Sequence, residues 1–117
     1  MKATEIRRIL DAEVLCGAEY LEEVEISSAF GADMMSDMLA YHLDQSTLVL
    51  TGTVNRHVIR TVEMLDIRCV VFVRGKSVPD EIISNARALD IIVLNTDKTL
   101  FTACGILYEA GLRSCSR

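Results

Sequence analysis

The stretch from Thr47 to Val73 constrains the fold of this chain more than any other. It contains two short apolar runs, Leu48–Leu50 and Val70–Val73, of the kind that forms parallel strands buried on both faces. Between the runs, apolar residues recur at steps of three and four, as on one face of a helix: Val54, Val58, Val62 and Leu65. A helix that connects two parallel strands makes a right-handed βαβ unit, which the stretch therefore predicts.

The same pattern extends toward the C-terminus. A third apolar run, at 91–95, follows another amphipathic segment, so the strands at 47–51, 69–73 and 91–95 are predicted to be mutually parallel. Weaker strand patterns occur at 13–16 and 24–30. The expected fold is a three-layer α/β/α sandwich with a mainly parallel sheet of about five strands, mixed if the first two strands run antiparallel. The last helix is expected to pack through Leu100, Phe101, Cys104, Leu107 and Tyr108.

Length and composition predict one domain, at residues 1–112, followed by a polar tail at 113–117 in which Cys115 is an exposed thiol. The chain has 117 residues, of which 50% are hydrophobic, enough for a core. A net charge of −5 without a basic cluster argues against nucleic-acid binding. No apolar run approaches the roughly 18 residues of a membrane span, and the N-terminus lacks a signal-peptide core. The expected location is the cytoplasm.

Catalytic and metal-binding patterns are not found. The four cysteines and two histidines do not have metal-ligand spacing. Cys69 and Cys104 fall in apolar patterns and are expected to be core residues. Asp33 and Asp37, one helical turn apart, fit a helix start more simply than a cation site. We therefore expect no metal, no cofactor and no enzymatic activity.

The carboxyl ends of the predicted parallel strands are the place where such sheets bind ligands. Gly52 and the helix start after it offer backbone amides, and an anion there would be held by these together with nearby polar side chains. The candidate ligand-binding residues are Thr51, Gly52, Thr53, Asn55, Arg74, Lys76 and Thr96. The alternative is that these are ordinary loop residues, since no phosphate-binding glycine motif is present.

A methionine-rich segment between Phe30 and Leu39 has two interpretations. At helical spacing Met34, Met35 and Met38 are typical of a core. The same residues, with Phe30 before them, are also the candidate interface for self-association, since methionine adapts readily to a contacting surface.

Two parts of the chain resemble a known family, the DRTGG domain. The first is LTGTVNRHVIRTVEMLDIRCVVFVRGKSVPDEIISNARALDIIVLNT, and the second is FTACGILYEAGL. The preceding GADMMSDMLA is similar to the element before them in small stand-alone members, so the resemblance covers roughly residues 1–112. A more distant similarity is to the N-terminal domain of HPr kinase/phosphorylase. The naming motif of the family falls near Gly52–Asn55, where this chain reads Gly-Thr-Val-Asn and lacks the acid and the base.

The resemblance implies a non-catalytic regulatory or interaction domain that is homodimeric and acts through a partner protein. Stand-alone members are often encoded near iron-only hydrogenase or signalling genes. The alternative function is a small-molecule sensor that binds an anionic metabolite or nucleotide at the Gly52 loop.

Overall fold

The computed structural model describes residues 1–115. Its six strands are β1 (Glu13–Cys16), β2 (Ser28–Gly31), β3 (Thr47–Thr51), β4 (Cys69–Phe72), β5 (Ile92–Asn95) and β6 (Arg113–Ser114). Its four α-helices are α1 (Ala3–Ile9), α2 (Arg56–Met64), α3 (Asp80–Ala88) and α4 (Leu100–Glu109). Two short 3₁₀ helices, Ala18–Tyr20 and Met35–Ala40, complete the described elements.

The strands form one mixed sheet in the order β1-β5-β4-β3-β2-β6. The predicted parallel arrangement of β3, β4 and β5 is confirmed, with Leu48 opposite Cys69 and Cys69 opposite Ile92. β2 and β6 extend the parallel part, whereas β1 is antiparallel to β5. The sheet therefore has one strand more than expected.

Helices cover both faces of the sheet, as predicted. On one face, Leu48 and Leu50 of β3 share a core with residues of α1 and α4. On the other face, Val49 of the same strand packs with residues of α2 and α3. Alternate residues of β3 thus belong to different cores, which is what strand geometry requires of a sheet buried on both sides.

Two segments differ from the predicted strand pattern. The segment expected to begin a strand at residue 24 forms only an isolated bridge between Lys2 and Glu25, and β2 starts at Ser28. Val24 and Ile26 are nevertheless buried, because they pack beneath α1 in the first core. Their alternating pattern therefore predicts which residues are buried, but it does not predict which residues pair in the sheet.

The C-terminal segment belongs to the sheet for as far as the structure describes it. Arg113 and Ser114 pair in parallel with Ser28 and Ala29, so the sheet continues past the predicted domain end at residue 112. Cys115 donates its backbone N–H to the carbonyl of Ala29 and is only 8% exposed. The prediction of an exposed thiol is wrong, because the β6 pairing carries Cys115 inward. Residues 116–117 of the predicted tail lie outside the described residues.

Across residues 1–115, every helix is too short or too polar to traverse a lipid bilayer.

Candidate functional site

The parallel strands bring four loops to one edge of the sheet. The carboxyl ends of β2, β3, β4 and β5 lie side by side in the strand order, so the segments that follow them are neighbours. Backbone bonds connect two of these segments directly, since Arg74 and Gly75 donate to the carbonyls of Lys98 and Thr96. The loops at the carboxyl ends of the parallel strands therefore lie together, as the sequence predicts. Whether they can bind a ligand depends on which of their polar groups are already hydrogen-bonded within the protein.

The Gly52 loop is closed by a carboxylate from the neighbouring strand end. The backbone N–H of Gly52 donates to Oδ1 of Asp33 over 2.9 Å, and the hydroxyl of Thr53 donates to the backbone carbonyl of Asp33 over 2.6 Å. Asp33 therefore does not cap the 3₁₀ helix that follows, whose N-cap is Met34, and its carboxylate closes the Gly52 loop instead. The Gly52 amide was expected to bind an external anion, but it already binds the carboxylate of Asp33.

Three other predicted ligand residues are used within the same loop. Oγ1 of Thr51 accepts from the N–H of Thr53 over 3.1 Å, and Thr51 itself is fully buried. Oδ1 of Asn55 accepts from the N–H of Val58 over 3.1 Å, which caps the start of α2. These side chains fix the loop and the helix start, and their polar groups are thereby already paired.

Arg74 joins the loop from the end of β4. Its Nη2 donates to the carbonyl of Gly52 over 3.2 Å. A Cβ on Gly52 would lie 2.7 Å from Nε and 2.8 Å from Cζ of Arg74, so a larger residue at position 52 would displace the guanidinium from the backbone. In the part of the chain that the structure describes, the guanidinium has no ion pair, which leaves its positive charge at the edge uncompensated.

Thr96 and Lys76 do not belong to this group. Thr96 is 3% exposed, and its hydroxyl donates to the carbonyl of Leu10 over 3.0 Å, so the prediction that it binds ligand is wrong. Lys76 lines a separate polar hollow of about 370 Å³ together with acidic side chains, among them Asp11 and Asp97. The structure therefore brings together Gly52, its loop neighbours and Arg74, with Asp33 as the residue that sequence analysis missed.

An apolar groove lies between β2 and α4, on the face of the sheet that α4 covers. Its volume is about 260 Å³, and its walls include Phe30, Tyr41, Cys104 and Tyr108. The rings of Phe30 and Tyr41 contact each other at a tilt of 49°, with centroids 4.8 Å apart. The guanidinium of Arg113 lies 4.0 Å from the ring centroid of Tyr108, within range of a cation–π contact.

The four residues of the predicted interface have different environments. Met38 is fully buried in the core with α2 and α3, so in this structure it is a core residue, and its assignment to an interface is wrong. Met34 is 65% exposed, and Phe30 and Met35 are half-buried. The segment forms a 3₁₀ helix instead of the expected α-helix, which places consecutive methionines on different sides.

Two aromatic side chains expected inside are on the surface. Phe101 is 88% exposed and Tyr108 is 60% exposed, whereas Leu107 on the opposite side of α4 is buried. Between the two aromatics lies Gly105, where an added Cβ would meet nothing within 4 Å. The outer side of α4 therefore carries two exposed aromatic rings, which the sequence pattern did not indicate.

The described cysteines are unpaired, and burial disfavours the thiolate form of each. Burial raises the pKa of the Cys69 thiol to about 12, and it also raises the pKa values of Cys16, Cys104 and Cys115. A thiol is a nucleophile only as its thiolate, so these groups are kept in the less reactive form. Among residues 1–115, no three His, Cys, Asp or Glu side chains are grouped so that they could hold a metal ion.

These features define a small three-layer α/β domain with a mainly parallel sheet, a polar edge closed by its own side chains, and exposed aromatic rings on α4. The chain belongs to the DRTGG domain family, which it matches over residues 5–110. The resemblance found in the sequence is thereby confirmed.

A solved structure shares this fold. It contains the CBS and DRTGG domains of the regulatory region of Clostridium perfringens pyrophosphatase, complexed with the activator diadenosine tetraphosphate. The TM-score is 0.69 at 19% sequence identity, and the match covers 91% of this chain and 45% of that chain. Our chain thus spans less than half the length of that structure. No curated protein matches the chain.

Proposed function

We propose that this chain is a non-catalytic regulatory domain that forms a homodimer and acts through a partner protein. The observation that carries the proposal is the exposure of several large apolar side chains. Met34, Leu39, Phe101 and Tyr108 are all at least 60% exposed. Full burial of one such side chain stabilises a complex by about 1.5–3 kcal/mol, so together they are a strong incentive to associate.

Single exposed apolar residues are ordinary on protein surfaces, so the positions of these side chains matter more than how many there are. The segment with Met34 and Leu39 connects Gly31 to Tyr41, and both ends of it line the groove beside α4. Tyr108 lines the same groove. An apolar groove with exposed apolar residues near its rim is typical of an interaction site.

The family supports a regulatory role. The DRTGG domain in the structurally similar pyrophosphatase lies in a regulatory region, and the same role is proposed for this chain. A cytoplasmic location fits four cysteines that are all unpaired, since reducing compartments keep thiols free.

The proposal is tested by the mass of the chain in solution at tens of micromolar, a range suited to weak dimers. Light scattering should give a dimer, and Met34→Asp should shift it toward the monomer. Met64→Asp is the matched control, because Met64 on α2 is 67% exposed and lies outside this surface. A monomeric wild-type chain would refute the proposal, and an intact dimer of Met34→Asp would exclude the methionine segment from the interface.

A second candidate function is an anion sensor at the Gly52 loop. The observation that favours it is the carboxylate of Asp33 on the Gly52 amide, because an amide that binds one anionic oxygen has the geometry to bind another. The guanidinium of Arg74 supplies positive charge beside it. An external anion would have to replace Asp33, and polyphosphorylated nucleotides are the first ligands to test.

This candidate is tested by thermal shift with phosphate, AMP, ATP, acetyl phosphate and diadenosine tetraphosphate. Saturation at ~100 times the dissociation constant stabilises the native state by about 2.7 kcal/mol. Asp33→Ala should increase the affinity for the anion by freeing the Gly52 amide, while Arg74→Ala should weaken it. Lys76→Ala is the control and should have no effect. The candidate fails if no ligand shifts the melting temperature, or if Asp33→Ala leaves the affinity unchanged.

A further inference from the structure

The segment at residues 33–41, in the connection between β2 and β3, has a single buried side chain. That side chain is Met38, and every other residue of the segment is half-buried or exposed. The backbone N–H groups of Asp37 and Tyr41 donate to carbonyls three residues earlier, so these bonds are internal to the segment. A segment that buries so little apolar surface is able to open while the sheet stays folded.

Asp33, at the start of the segment, attaches it to the Gly52 loop through two hydrogen bonds. The carboxylate accepts from the Gly52 amide, and the backbone carbonyl accepts from the hydroxyl of Thr53. A hydrogen bond to a charged acceptor is roughly twice as strong as one between neutral groups, so the carboxylate contributes substantially to holding the segment in place. An anion that binds the Gly52 amide therefore competes with the segment for the same donor.

The contacts of Asp33 and Met38 are made with the same part of the protein. Met38 belongs to the core that α2 and α3 share, and its 3₁₀ helix contacts α2. Helix α2 begins shortly after Gly52, with Asn55 as its cap. Both contacts therefore hold the segment against one continuous stretch, residues 52–64. Because an open segment loses the two contacts together, weakening either one favours opening.

Opening of the segment changes the apolar surface of the protein. It moves Met34 and Leu39, which are exposed, and it uncovers Met38. Met34 and Leu39 are two of the side chains on which the proposed association depends. The occupant of the Gly52 amide and the arrangement of this apolar surface are thus connected through the carboxylate of Asp33.

We propose that Asp33 is an internal competitor at the anion site, and that an anion bound to the Gly52 amide releases the 33–41 segment. This inference rests on the second candidate function, the anion sensor, and specifies what the bound anion changes in the protein. The anion binds where the amide is free, so it shifts the population toward the open segment. By thermodynamic reciprocity, any change that favours the open segment strengthens anion binding.

The first test is hydrogen exchange followed by mass spectrometry, with ATP and inorganic phosphate as the probes. A probe that binds as proposed has opposite effects on two parts of the chain. It should slow exchange in β4, because a ligand that binds the native state and not the unfolded chain stabilises the fold. It should speed exchange in the 33–41 segment, because it displaces Asp33. A probe that binds and slows exchange in both parts would overturn the inference.

The second test removes the carboxylate. Asp33→Ala should speed exchange in the 33–41 segment at least about tenfold, and a bound probe should then cause no further increase. Asp37→Ala is the matched control, because it makes the same change of charge in the same segment without the bond to Gly52. It should alter exchange less than about twofold. Unchanged exchange in Asp33→Ala would overturn the inference while leaving the anion sensor intact.

The third test separates release of the segment from simple competition at the amide. Met38→Ala weakens the other anchor of the segment, so it should increase the affinity for the probe at least about tenfold in isothermal titration. Met64→Ala is the control, because Met64 is exposed on α2, and it should leave the affinity unchanged. Equal affinities of wild type and Met38→Ala would overturn the inference. If neither probe binds to the wild type or to Asp33→Ala, the anion sensor itself fails, and the anion as the trigger of release fails with it.

Discussion

The hydrogen bond between Gly52 and Asp33 predicts how much stability the protein loses when the Asp33 carboxylate is removed. Replacement of Asp33 by alanine removes the acceptor of the Gly52 N–H and leaves the backbone contact of Thr53 in place. A hydrogen bond to a charged group contributes about 1.5–3 kcal/mol. Since Asp33 is exposed and Gly52 is buried, the lower end applies, and we expect a loss of about 1.5 kcal/mol of unfolding free energy.

This loss converts into a measurable change of melting temperature. An unfolding entropy of about 2.1 cal/mol/K per residue over 117 residues gives about 0.25 kcal/mol/K. A loss of about 1.5 kcal/mol should therefore lower the melting temperature by about 6 °C. Asp33→Asn retains a neutral acceptor at the same position, so its effect should be about half as large.

The assay is thermal or urea unfolding followed by circular dichroism, with Asp37→Ala as the control. Asp37 is also exposed and belongs to the 3₁₀ helix that follows Asp33, so its removal changes the charge equally without the bond to Gly52. We expect Asp37→Ala to shift the melting temperature by less than about 2 °C. If Asp33→Ala and Asp37→Ala behave alike, the carboxylate does not hold the loop.

Three further predictions concern the core and its turns. Thr96→Val should destabilise the fold by about 1–3 kcal/mol, measured by urea unfolding, because it leaves the buried carbonyl of Leu10 unpaired; no change would contradict that bond. Gly17→Ala should be more damaging, since Gly17 has φ +83 and a Cβ there would lie 2.7 Å from the Cα of Ile92; a neutral result in the same assay would refute this. Stability should fall as pH rises above 9, because the thiol of Cys69 has its ordinary pKa of 9.0 in the unfolded chain, whereas burial raises the pKa to about 12 in the folded one. Cys69→Ala should therefore reduce the decrease of unfolding free energy with pH, and an unchanged decrease would contradict the prediction.

The sequence predicts the parallel centre of the fold well, for a clear reason. Residues of β3, β4 and β5 are buried on both faces, so their apolar runs are uninterrupted and easily recognised. β6 has no such signal, because its two residues, Arg113 and Ser114, are exposed and polar. A strand of this kind is defined only by the backbone of its neighbour, which a local pattern does not reveal.

The outer face of α4 escapes prediction for the opposite reason. The helix is apolar nearly all the way round, so its periodicity does not separate the inward Leu107 from the outward Phe101 and Tyr108. At the polar edge, Gly52 and Arg74 follow from the strand ends, but the partner of the Gly52 amide does not. Asp33 lies 19 residues away along the chain, and only the parallel pairing of β2 with β3 brings the two together.

The measurement that tests the central claim most directly is sedimentation equilibrium of the wild-type chain at two salt concentrations. The mass should rise with concentration from 13.0 kDa toward twice that value. Because each copy carries a net charge of −5, screening by salt should reduce the repulsion between copies and strengthen the dimer between about 50 and 500 mM. A single species of 13.0 kDa at about 100 µM, at both salt concentrations, would contradict the account.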